Sequence, residues 1–100
     1  MPLFVVIGRD LPGAPERRMA ARPAHFAYIE TILDKIALAG PLRTEEGGFA
    51  GSLLVYDVAD EAEARALLEA DPYFAAGIWH EPELHPFTAA AGKLIGGKTW

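Results

Sequence analysis

The chain contains no cysteine. That excludes disulfides, thiolate metal sites and a cysteine nucleophile, and it fits a reducing compartment. No basic, apolar leader precedes a small-residue cleavage site, so a cytoplasmic location is expected. Basic charge is scarce: nine Lys and Arg stand against fourteen Asp and Glu, for a net charge of −5. Phosphate backbones need a basic surface, and no nucleic-acid partner is expected. Long hydrophobic runs are missing too. Leu3 to Ile7 is a strand's length and far short of a membrane span, so no membrane association is expected. There is no HExxH, no Gly-rich phosphate loop and no Gly-x-Ser-x-Gly elbow. His80 and His85, five apart in a strand, are predicted to point to opposite faces, where they cannot share a metal. No metal and no cofactor are expected.

What is present describes one folded domain. Over 100 residues the hydrophobic fraction is 51%, enough for a core but with little surplus. Leu3 to Ile7 reads as a buried strand ending at Gly8. Asp10 to Pro15 is dense in turn formers. A short helical turn is predicted over Glu16 to Ala21, and the main helix is predicted to start at Pro23, because proline suits a first turn. Phe26, Ile29, Ile32, Leu33 and Ile36 then form one apolar stripe, and the helix is predicted to stop before Gly40-Pro41. Leu42 to Thr44 and Phe49 to Val58 read as strands around a Glu45–Gly48 turn. Asp60, followed by Glu63, opens a second helix that Asp71-Pro72 ends. Ile78 to Phe87 is the last strand, and Pro82 places it at a sheet edge. Residues 88–100 are Gly- and Ala-rich, either a loose tail or an arm that docks on a partner subunit.

That order, strand–helix–strand–strand–helix–strand, predicts an α+β fold: a ferredoxin-like βαββαβ chain with a four-stranded antiparallel sheet and both helices on one face. The first and third strands are apolar on both sides. The opposite sheet face therefore needs a cover, which a homodimer packed sheet to sheet would supply.

Two segments carry the chemistry: Arg22-Pro23-Ala24-His25 and Asp71-Pro72-Tyr73-Phe74-Ala75-Ala76-Gly77. Each sets an ionisable side chain beside proline and apolar sequence. His25 is read as lying near the start of the main helix on its buried edge. The positive end of the helix dipole would disfavour its cation there, and a nearby carboxylate would favour it. The residue is either a general base or a histidine hydrogen-bonded to backbone. Asp71 is either its carboxylate partner or simply the N-cap of a short helical turn begun by Pro72. Ser52 could hydrogen-bond a ligand, and Tyr73 could line an apolar pocket or pack in the core. Arg9, Arg17, Arg18 and Arg22 cluster near the first helix, either as a solvated face or as an anion site.

Arg22-Pro23-Ala24-His25-Phe26, Ala39-Gly40-Pro41-Leu42, Phe49-Ala50-Gly51-Ser52, Asp71-Pro72-Tyr73-Phe74-Ala75-Ala76-Gly77 and Pro86-Phe87 together resemble the YciI-like family, in order across residues 3–87. The resemblance implies a family domain over residues 1–87 followed by the 88–100 tail, and a dimeric α+β barrel. It also implies an active site built on His25 and Asp71, with Arg22 and Ser52 in the pocket. Pro82 and the longer tail depart from the family pattern. The function expected is a cofactor-independent enzyme of small-molecule metabolism using His/Asp acid–base chemistry, of lyase, dehalogenase or isomerase type. The alternative is a non-catalytic small-ligand-binding or accessory domain.

Overall fold

A computed structural model describes residues 2–100. Its elements run β1 (Leu3–Asp10), α1 (Ala14–Thr31), β2 (Ile36–Arg43), β3 (Phe49–Asp57), α2 (Glu61–Ala70), α3 (Pro72–Ala75) and β4 (Trp79–Phe87). The four strands form one antiparallel sheet in the order β2-β3-β1-β4. This is the ferredoxin-like arrangement expected, with the proline-bearing β4 at an edge. No helix among the described residues is long and apolar enough to cross a membrane.

Strand alternation divides the sheet into two faces. Phe4, Val6, Leu54 and Tyr56 point toward the helices and form the core with Ile32, Ala64, Leu68 and Ile78. On the opposite face, register places Leu3 beside Phe87, Val5 beside Val55, and Leu38 beside Val55 in turn. Leu38, Leu42 and Phe87 are exposed there. α2 begins as expected, with Asp60 Oδ1 accepting from Glu63 N at 2.9 Å.

α1 corrects two sequence expectations. It runs unbroken from Ala14, with Pro23 inside it. The amide that Pro23 lacks would have bonded the Met19 carbonyl. Both residues lie on the exposed side, where water can solvate that carbonyl. The helix also ends early, at Thr31, and Ile36 to Ala39 open β2 instead of forming a last helical turn. Pairing with β3 overrides the helical spacing of Ile32, Leu33 and Ile36. Phe26 and Leu33, assigned to the apolar stripe, are exposed.

A bulge in β4 corrects a third. Ile7 pairs with Glu83 and Arg9 with His80, so Gly8 faces two residues, Glu81 and Pro82. Glu81 takes up the extra length at φ 40, in the left-handed region. An inserted residue inverts alternation beyond it. His80 and His85 therefore share one sheet face, contrary to the expectation, though four positions of β1 (about 13 Å at strand rise) separate their partners. The same inversion turns Trp79 inward over Gly8. A Cβ on Gly8 would lie 2.6 Å from the indole, so only glycine fits beneath it.

Residues 88–100 form a small hairpin of β5 (Ala91–Gly92) and β6 (Gly97–Lys98), separate from the main sheet. Leu94 and Trp100 are exposed on it.

Candidate active site

The two segments singled out in the sequence meet. His25 Nδ1 lies 2.7 Å from Asp71 Oδ1, across the packing of α1 against α3. His25 sits past the middle of α1, not near its start, so the dipole of the helix N-terminus does not act on it as expected. Asp71 is fully buried and performs both roles weighed for it with one oxygen. Oδ1 accepts from Tyr73 N at 2.9 Å, capping α3, and it also holds the imidazole. An oxygen already accepting from an amide is an acceptor for the ring as well. Nδ1 therefore carries the proton, and the neutral imidazole keeps its lone pair on Nε2.

The ring plane is set by Tyr73, stacked at a centroid distance of 3.7 Å and an interplanar angle of 3°. Tyr73 in turn meets Trp79 edge to face at 6.1 Å, and Trp79 Nε1 donates to Ser52 Oγ at 3.3 Å. Asp71 also acts on two phenols. Burial first, and then the Asp71 charge, push Tyr28 and Tyr56 above the ordinary tyrosine pKa. Both remain neutral beside the carboxylate.

A cavity of about 490 Å³ opens between α1 and the β2–β3 half of the sheet. His25, Tyr73, Ser52 and Arg22 all line it, so the five residues singled out gather at one place: four on the cavity wall and Asp71 behind His25. Phe26, Ile29, Phe49 and Leu54 supply apolar wall. Asp71 holds Nδ1, and Nε2 is the nitrogen left to the cavity. The site is thus a cavity of small-molecule dimensions that holds an oriented imidazole in largely apolar surroundings. Among the described residues no cluster of three or more His, Asp and Glu side chains is arranged to hold a metal ion.

The arginine cluster separates into four different environments. Arg9 pairs with Glu83, and Arg17 donates to the Gly77 carbonyl. Arg22 makes no ion pair or hydrogen bond among the described residues and stands exposed at the cavity. Arg18 is the member sequence reasoning did not single out. It is only 4% exposed and grips Asp10 with two bonds, Nε to Oδ2 at 2.8 Å and Nη2 to Oδ1 at 2.9 Å. Nη2 also reaches the Gly51 carbonyl and Ser52 Oγ, each at 2.9 Å. The available signal was spacing: on one helix beginning at Ala14, residues 18, 22, 25 and 29 form a single stripe.

A ferredoxin-like α+β chain in which a buried aspartate capping one helix holds a cavity histidine of another defines a class of small α+β domains with a His–Asp pair between two helices. Residues 2–88 match the model of the YCII-related domain, and the chain belongs to that family. Protein YciI of Escherichia coli is 31% identical over 93 residues, covering 85% of this chain and 95% of that protein. An uncharacterized protein of Haemophilus influenzae is 27% identical over 92 residues, covering 84% and 94%. Among solved structures, the 5-chloro-2-hydroxyhydroquinone dehydrochlorinase TftG of Burkholderia phenoliruptrix, in complex with 2,5-dihydroxybenzoquinone, superimposes with a TM-score of 0.78. It is 28% identical, and the match covers 91% of this chain and 96% of that one. A NIPSNAP domain protein of Burkholderia xenovorans, 19% identical with a TM-score of 0.51, shares the fold.

Proposed function

We propose that this protein is a cofactor-independent, cytoplasmic enzyme that moves a proton on a small molecule, with His25 as the acid–base group and Asp71 as its partner. The observation that carries this reading is the 2.7 Å contact from a fully buried carboxylate to the Nδ1 of a cavity-lining imidazole. Asp71 fixes the tautomer and stabilises the imidazolium formed when Nε2 accepts a proton. Loss of an anionic group from the deprotonated substrate completes a lyase or dehalogenase reaction. Return of the proton to another atom completes an isomerisation. Likeness to a dehydrochlorinase favours elimination, with a hydroxylated ring as the substrate type. Such a ring suits a cavity walled by Phe26, Phe49 and Tyr73.

The test is chloride release from 5-chloro-2-hydroxyhydroquinone by the wild type, His25→Ala and Asp71→Asn. Each variant is expected to lose roughly a hundred- to ten-thousand-fold in turnover, and the double variant little more. Asparagine still accepts from Tyr73 N, so the cap survives while the charge is lost. Folded single variants with wild-type turnover would refute the assignment.

The protein acts as a homodimer joined through the open sheet face in this reading, since Leu38, Leu42 and Phe87 lie exposed beside half-buried Leu3, Val5 and Ile7. The 88–100 hairpin, which carries Lys93 and Lys98 and no acidic residue, lies along the acidic partner subunit. Sedimentation at micromolar concentration should give twice the 10.8 kDa chain mass, and Leu38→Glu should shift it toward monomer. A wild type that sediments as a monomer overturns this assembly.

A further inference from the structure

We propose that Arg18 is the anion-holding group of the cavity, its Nη1 donating to a planar oxyanion (carboxylate, enolate or phenolate) on the substrate. The inference rests on the acid–base reading of His25 for its catalytic meaning, but not for the binding it describes.

Three observations carry it. The first is the state of the guanidinium. Nε and Nη2 are committed to Asp10, Gly51 and Ser52, whereas Nη1 has no hydrogen-bond partner among the described residues. Arg18 is more than nine-tenths buried, yet it lines the cavity, and Nη1 is not among the sealed unpartnered atoms of the interior. Two N–H donors are therefore held rigidly at the cavity wall. Nη1 has no protein acceptor and is not sealed from the cavity, so a ligand oxyanion there can take up a charge-assisted bond.

Charge is the second. Asp10 cancels Arg18, and Arg22 stands unpaired at the same cavity. No carboxylate residue lines that wall, because Asp71 is screened behind His25. A chain of net charge −5 has thus gathered a net positive wall at the cavity between α1 and the sheet. A fork locked by a bidentate carboxylate also costs no reorganisation when the ligand arrives.

Spacing is the third. Arg18 and His25 lie seven positions apart on α1, about 10 Å along the axis. Tyr73 bridges them, with its ring stacked on His25 and 5.4 Å from the Arg18 guanidinium carbon. One ring with an oxygen at one end and a proton at the other spans that interval. Phe49, 5.2 Å from the same guanidinium carbon, adds a second aromatic face. Arg18 thereby selects conjugated oxyanions over neutral rings, and it faces the charge that grows when Nε2 takes a proton.

The test uses the intact wild-type chain with arginine side chains labelled with 15N, titrated with benzoate and separately with benzamide, its uncharged counterpart. The Arg18 signal is assigned by its absence from Arg18→Lys, which keeps a cation beside Asp10 but loses the fork. Benzoate is expected to shift the Arg18 guanidinium and the His25 ring resonances together. Benzamide should bind about 10- to 100-fold more weakly, and folded Arg18→Lys should lose benzoate affinity by a similar factor. Equal binding of benzoate and benzamide, or benzoate shifts that leave Arg18 unmoved, overturns the proposal, as does no binding of either. Should Arg18→Lys fail to fold, the wild-type charge selectivity decides alone. Turnover lost in no His25 variant, with Arg18 still shifted by benzoate, would refute the acid–base reading and leave this one standing.

Discussion

Replacing Gly8 by alanine tests the linkage from the β4 bulge to the cavity wall. The new methyl carbon would stand 2.6, 2.7 and 2.8 Å from three carbons of the Trp79 indole, where ordinary contacts begin near 3.4 Å. The ring must retreat by close to 1 Å. It has little freedom to do so: Trp79 is 6% exposed, its Nε1 is bonded to Ser52, and its ring makes a T-shaped contact with Tyr73. Overpacking of this kind costs about 1–3 kcal/mol. Weakening the Trp79–Ser52 bond adds about 1 kcal/mol, while alanine regains roughly 0.5–1 kcal/mol of backbone entropy over glycine in a strand. The net expectation is a loss of about 2 kcal/mol, or on the order of 10 °C in Tm for a chain of this size. Thermal unfolding followed by circular dichroism at fixed protein concentration measures it. Fluorescence in a Trp100→Phe background reports Trp79 alone, and its emission should move to longer wavelength. Shrinking the ring must relieve the strain, so Trp79→Phe should cost less in the Gly8→Ala chain than in the wild type. A Gly8→Ala protein that melts within 2 °C of wild type (about 0.5 kcal/mol at most) would refute the packing of Trp79 on Gly8.

Tyr28 and Tyr56 have pKa values raised by burial and then by Asp71. The folded chain therefore holds their protons where the unfolded chain has released them. The stability they support is complete below the unfolded value near 10 and falls as pH rises through the folded values. Tyr56→Phe should flatten that alkaline loss, read from urea midpoints at pH 8 to 11, and an unchanged slope would count against it. Asp10→Asn breaks the nearly sealed pair with Arg18 and should cost about 3–5 kcal/mol; a change under 1 kcal/mol by urea unfolding would show the pair to be solvated. Glu81→Gly releases a left-handed residue at the bulge and should raise stability by about 1 kcal/mol, whereas a loss would show that the Glu81 side chain contributes there.

The parts of this molecule that could be read from its sequence are those in which local chemistry and tertiary pairing agree. Pro82 lacks a donor, and β4 lies at an edge; Asp71 before Pro72 is a cap, and it caps. The two segments that carry His25 and Asp71 stood out by an ionisable side chain beside proline, but their contact did not follow from that alone, since the two lie 46 positions apart and no periodicity links them; the family resemblance strengthened the pairing. The errors arise where a partner strand or solvent decides the local outcome. Pro23 reads as a helix start because its ring forbids one hydrogen bond, but the bond forbidden lies on the wet side of α1, where water replaces it at small cost. Ile36 to Ala39 reads as helix by spacing, yet the β3 edge offers this segment strand pairing, interrupted by one register shift between Ile36 and Leu38. The first of these errors concealed Arg18. Splitting α1 at Pro23 put Arg18 and His25 on different helices and left the arginine among solvated charges. Joined, the two share one stripe, and the only way to bury a cation on that stripe is to meet a carboxylate. Asp10, at the end of β1, is where the chain places it.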